Sequence, residues 1–182
     1  MNTSAPTNTR VANIFNGQLY VSSASGAFQG VGTVGSGLPT TGGQSLALLP
    51  GFPTASGPSP YDFWFASAST LYVADDRTNG SGGLQKWVFG GSTWSLAYTL
   101  AVTANTGCRG LTGTFSGDDP VLFATTSDSK LVKVTDLGAG SPFTLLATAG
   151  TNTAFRGVDF TPAPEPASVF LLSLAGLWLR RR

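Results

Sequence analysis

Phenylalanine recurs at a fixed step of 50 residues, at Phe15, Phe65 and Phe115, and Leu19, Leu71 and Leu122 follow almost in step. A repeat of this length confines the chain to arrays of one supersecondary unit, because each unit must bury its apolar face against a neighbour. The repeated stretches read NIFNGQLYVSSASG, FWFASASTLYVADD and TGTFSGDDPVLFATTSD. Each holds two short runs of β-branched, aromatic and small polar residues around a turn, the pattern of a hairpin. In the first, Asn16-Gly17 joins the runs, and both residues accept the positive φ of a two-residue hairpin turn. Two more strand candidates follow in every unit: FQGVGTVG and QSLALLP, then LQKWVF and TWSLAYTL, then KLVKV and FTLLATAG. Before residue 167 no stretch carries a helical period with start and stop signals. The expected class is all-β, with four short antiparallel strands per unit.

Four-stranded units repeating at this interval indicate blades of a β-propeller. The expected layout is a polar segment over 1–9, units over 10–59, 60–107 and 108–154, and an orphan strand over 155–161. A tail of different composition follows over 162–182. Three units are fewer than the ~4–8 blades of closed rings. The first residues, MNTSAPTNTRVANIF, lack the basic start and apolar stretch of a secretory signal. The expectation is therefore a partial propeller, the C-terminal part of a longer protein or the product of a truncated gene, with Met1 an internal start. The units resemble NHL-type blades. TLYVADDRTNGSGGLQKWVF is similar to the centre of such a blade, with Asp75 ending its second strand, while CRGLTGTF and FRGVDF are similar to its innermost strand. The resemblance implies that the first strand of each unit lines a central channel. It transfers a fold and no activity.

The chemistry available to the body is narrow. Histidine is absent from the chain, which removes the commonest general base and metal ligand together with Ser-His and Cys-His catalysis. Cys108 is the single cysteine, so no internal disulfide forms. Charged residues are 10% of the chain, and three of its ten Lys and Arg residues sit at the C-terminus. The remaining body is close to neutral and has no basic face to neutralise a run of phosphates, so nucleic acid is not an expected partner. In ADDRTNGSGG, Asp75, Asp76 and Asn79 offer oxygens, but Arg77 and Lys86 stand where a calcium loop needs ligands. That stretch reads as an exposed turn, as do Asp118 and Asp119 before Pro120. Arg109 and Arg156 precede glycine in matching first strands. They either ring the channel mouth, where they would bind an anionic glycan, or bond to turn carbonyls of a neighbouring blade. Trp64, Trp87 and Trp94 either stack on sugar rings or fill the space between blades. No catalytic residue, metal ligand or cofactor site is assigned. The alternative is part of an exported propeller enzyme acting on polysaccharide or phosphate esters.

The tail reads PAPEPASVFLLSLAGLWLRRR. Pro164 and Pro166 break any helix ahead of the apolar run 167–179, which carries Ala167, Val169, Phe170, Leu171, Leu172, Leu174, Leu177, Trp178 and Leu179. As a helix this run would span roughly 20 Å, short of the ~30 Å hydrocarbon core of a bilayer. Arg180, Arg181 and Arg182 would snorkel and hold the cytoplasmic side. The order of parts, Pro164-Glu165-Pro166, then the apolar run, then the arginine cluster, resembles the PEP-CTERM sorting signal of Gram-negative bacteria. The resemblance implies an exosortase as processing partner and transient anchoring in the inner membrane. It further implies delivery to the cell envelope or extracellular matrix, where exopolysaccharide or other surface glycans would be ligands. The expected protein is an exported, non-enzymatic binding or structural module.

Overall fold

A computed structural model describes residues 6–55 and 57–161. The tail, including the motif at 164–166, the apolar run and the terminal arginines, lies outside the described residues.

Twelve strands form three four-stranded antiparallel sheets, and each sheet follows chain order. The first sheet holds β1 (Thr9–Phe15), β2 (Gln18–Ser25), β3 (Phe28–Val34) and β4 (Leu46–Leu48). The second holds β5 (Pro60–Ser67), β6 (Thr70–Asp75), β7 (Gly83–Phe89) and β8 (Trp94–Leu100). The third holds β9 (Cys108–Ser116), β10 (Asp119–Thr126), β11 (Lys130–Thr135) and β12 (Thr144–Thr148). Every strand candidate up to residue 149 has become a strand in the expected order, and among the described residues there is no helix.

The first hairpin closes as its turn residues require. Phe15 pairs with Gln18, and Asn16 and Gly17 take φ of 47° and 73°. Phe15, Phe65 and Phe115 each fall near the end of the first strand of a sheet, which is the structural meaning of the 50-residue step.

Two hydrophobic cores lie between the sheets. One joins Val31 of the first sheet to Phe63, Phe65, Leu71, Val73, Trp87 and Trp94 of the second, with Phe52 of the linker stacked on Trp87 at 4.1 Å between ring centroids. The other joins Tyr72, Ala74, Leu84 and Leu100 of the second sheet to Leu111, Leu122, Ala124, Val132 and Val134 of the third. The middle sheet is thus covered on both faces. Its strand β6 is buried almost end to end and reads as a continuous apolar run rather than an alternating one. Leu71 and Val73 face the first sheet, and Tyr72 and Ala74 the third. Trp87 and Trp94 are 6% exposed and fill the space between the first two sheets, which decides for packing over sugar stacking at these positions.

The first strands gather together. β5 lies against β1, β2 and β3, and β9 lies against β5 and β6. Close approach is possible because β9 carries Gly113, where any β-carbon would press into the Trp64 ring of β5.

One expectation is corrected. Residues 155–161 make no strand. They run beside β9, with Gly157 against Gly110, Asp159 Oδ1 accepting from Thr112 Oγ1 at 3.2 Å, and Phe160 edge-on to Phe123 at 5.5 Å. The segment has the strand-like sequence FRGVDF but no neighbouring second strand among the described residues. Strand propensity without a ladder partner does not make a strand.

Candidate functional site

The first strands bring two groups of polar residues together. At the start of β1, Arg10 Nη1 reaches Asp76 Oδ2 at 3.3 Å and Arg10 Nη2 reaches Ser59 Oγ at 3.4 Å. From β9, Arg109 Nε stands 3.5 Å from the same Asp76 oxygen, close enough for an ion pair but out of hydrogen-bond alignment. Ser59 Oγ donates to Asp76 Oδ1 at 2.6 Å. Asp76 therefore ties all three sheets at one end of their first strands. Next to it, Asp75 is wholly buried and accepts from Arg77 Nε at 2.8 Å, Ser59 N at 3.1 Å and Gln85 Nε2 at 3.2 Å. The Asp75-Asp76 pair is more than an exposed turn. Its carboxylates are consumed by arginines and backbone donors, and among the described residues no three His, Cys, Asp or Glu side chains gather as a metal group.

Arg109 and Arg156 begin adjacent first-strand segments, as the glycine contact between residues 110 and 157 shows. Arg109 is three-quarters buried and committed to Asp76, whereas Arg156 is exposed. The sequence reading missed Arg10. A signal for it existed, since Arg10, Arg109 and Arg156 are each followed three residues later by Asn13, Thr112 and Asp159. The second unit has Ser59 and Asp62 in that pattern, and Ser59 Oγ bonds both Arg10 and Asp76.

The second group lines a cleft of about 320 Å³ between the first strands, bounded by Asn13, Phe15, Trp64, Thr112 and Asp159 among others. Beside it, Asp62 accepts from its neighbour Phe63 N at 2.8 Å and, across the sheets, from Leu111 N at 2.9 Å. Burial pushes the Asp62 carboxyl up to about 6, against the pull of those two N–H bonds and with the charge of Asp159 adding to the rise. With both oxygens held by backbone donors, Asp62 fixes β9 on β5. Cys108 is buried, and its thiol is pushed up to about 12 by that burial and by the charges of Asp128 and Asp75, which makes it inert.

A third polar cluster lies in the core between the second and third sheets. The Asp136 carboxylate accepts from Tyr72 Oη, from Tyr98 Oη at 2.6 Å, from Lys86 Nζ at 2.9 Å and from Gly138 N at 3.0 Å. Burial alone would raise the Asp136 carboxyl, but these four donors outweigh it and hold the group below the ordinary carboxylate range.

No family model, curated protein or solved structure matches the chain. The site is accordingly described by its geometry alone: a cleft between the first strands with a mixed aromatic and polar wall, and a separate Arg–Asp knot that ties the three sheets.

Proposed function

We propose that the three sheets are blades of a β-propeller, and that this is the binding or structural module of an exported envelope or matrix protein sorted by an exosortase. Support for the blades comes from the chain-order meander repeated three times, with apolar cores between successive sheets and the first strands gathered at one side. Support for sorting comes from the ordered tail of Pro164-Glu165-Pro166, apolar run and arginine cluster, and this is the observation that carries the reading.

A non-enzymatic role fits the state of the polar groups. Asp62, Asp75, Asp76 and Asp136 are each engaged in holding sheets or turns together. The cleft between the first strands sets the Trp64 and Phe65 rings beside Asn13, Thr112 and Asp159, so its wall is more polar than apolar and offers hydrogen-bonding groups next to aromatic faces. Surface glycans are the ligand class that suits it.

Expression in a host with an exosortase tests the sorting half. Intact-mass analysis of protein recovered from the envelope is expected to show loss of the apolar run and the arginines. Recovery of an unprocessed C-terminus from the mature envelope refutes it.

A further inference from the structure

The two inter-sheet interfaces are built from the same positions of the repeat. Leu71, Val73 and Asp75 of β6 form a face covered by the first sheet, and Leu122, Ala124 and Thr126 of β10 form a face covered by the second. Leu19, Val21 and Ser23 of β2 are the same triad on the first sheet. There the face bounds a groove of about 280 Å³ with Ala12, Val34 and Pro39 on its walls. Ser23 Oγ, wholly buried at the end of this triad, has no hydrogen-bond partner among the described residues, while its counterpart Asp75 has several.

The complementary half of the interface also exists. Between the triad residues stand Tyr20, Tyr72 and Phe123. Tyr20 packs on Phe65 of the next sheet at 4.7 Å, and Tyr72 is buried in the core shared with the third sheet. Phe123 on the outer face of the third sheet meets, among the described aromatic rings, Phe160 of the unpaired segment 155–161, edge-on at 5.5 Å. That segment repeats the Arg-x-x-Asn/Asp pattern of β1 but carries no ladder, whereas β1 is paired to β2 along its length. A first strand that brings three further strands with it would offer that seat more surface than the segment does and so compete with it.

We infer that two copies of this chain associate head to tail, the outer face of the third sheet of one seated on the outer face of the first sheet of the other. On the propeller reading above, on which this rests, the two contacts close one six-sheet ring, within the ~4–8 blades that such rings hold. Heterologous contacts of this kind end in a closed ring when the rotation fits.

The test uses the whole chain in a nonionic detergent, so that the apolar tail does not drive association. Light scattering on a sizing column is expected to give a protein mass twice the 18.7 kDa of the chain. Leu19→Lys and Phe123→Lys are each expected to weaken association at least tenfold. An equimolar mixture of the two variants restores the dimer, because one contact then pairs two unaltered faces. That rescue requires both variants to be folded, so it separates a broken interface from a broken fold. A wild-type monomer, a dimer indifferent to both variants, or a dimer lost only in Leu19→Lys overturns the inference. Rescue together with particles lacking a central channel under the electron microscope keeps the head-to-tail contact and refutes the propeller reading instead.

Discussion

Replacing Asp136 with asparagine removes the charge at the centre of the second-to-third sheet contact while keeping its shape. The carboxylate is fully buried and is bonded by two tyrosine hydroxyls, the Lys86 ammonium and the Gly138 amide. The amide that replaces it has one oxygen to offer where there were two, and its NH₂ group faces donors. Lys86, with 23% of its side chain exposed, is left without its counter-ion, and the buried Tyr72 hydroxyl loses its acceptor. Breaking a buried pair on one side costs about 3–5 kcal/mol. With Lys86 partly wet, the lower end, about 3 kcal/mol, is expected. For a chain of this size that corresponds to a fall of roughly 6–12 °C in melting temperature. Urea denaturation at pH 7 measures it, with Lys130→Ala as reference, because the Lys130–Asp128 pair is more than a third exposed and such pairs contribute at most ~1 kcal/mol. The pH dependence gives an independent check. Asp136 is held below the ordinary carboxylate range, so its stabilisation is complete above the unfolded-state value near ~4 and is lost as pH falls through the lower folded value. Lys86, raised above its ordinary value by Asp136 and Tyr98 despite its burial, loses its contribution only as pH climbs through that raised value. The gap between wild type and Asp136→Asn should be flat from about pH 5 to 9 and narrow below pH ~4. A variant within ~1 kcal/mol of wild type at pH 7, or a gap that widens in acid, would falsify the reasoning.

Two further outcomes follow from the first strands. Asp62, raised to about 6 by burial, makes the fold most stable when protonated, so its contribution is complete below about pH 4 and is lost as pH rises through 6. Asp62→Asn should flatten the stability profile between pH 4 and 6, and an unchanged slope in that window refutes the assignment. Calcium should bind weakly or not at all, since Arg77 and Arg10 occupy the Asp75 and Asp76 carboxylates; a micromolar site in a calorimetric titration of the chain contradicts this.

The strands were legible because they are local. Asn-Gly sets a hairpin by its own backbone preferences, and alternating or aromatic runs between glycine-rich turns set the rest. The spacing of Phe15, Phe65 and Phe115 then put those strands in register. The polar clusters were not legible in the same way. Asp136 lies 64 residues from Tyr72, 50 from Lys86 and 38 from Tyr98, and nothing near it in sequence marks it as buried. Asp76 read as a turn residue because turn chemistry explains an isolated aspartate well, and its arginines arrive from other sheets. The orphan strand failed for the converse reason. Its sequence was right, but its pairing depends on strands that the described residues do not supply.

The economy of charge in this chain links its fold to its recognition chemistry. Stacked sheets held by apolar contact alone can slide, since burial is roughly proportional to area and indifferent to direction. Here the sliding is blocked by directional bonds at each contact: Ser22 Oγ to Tyr61 O at 2.6 Å and Arg10 to Asp76 between the first two sheets, and Leu111 N to Asp62 and Lys86 to Asp136 between the last two, with the Arg109–Asp76 ion pair adding to them. Arg10, Lys86, Arg109, Asp62, Asp76 and Asp136 are spent between sheets, and Arg77 and Asp75 on each other within the second unit, from a chain with only 10 cationic and 9 acidic residues. Among the described residues the charged side chains left exposed include Asp118, Asp119, Asp159 and Arg156, too sparse and mixed in sign to make a field over that part of the surface. On the proposed reading, a ligand of the cleft would meet aromatic rings and hydroxyl and amide groups, with the Asp159 carboxylate on the wall. On that proposal its affinity should depend little on salt, and a neutral glycan fits the cleft better than the anionic one that Arg109 and Arg156 suggest from sequence, since no cation lines it.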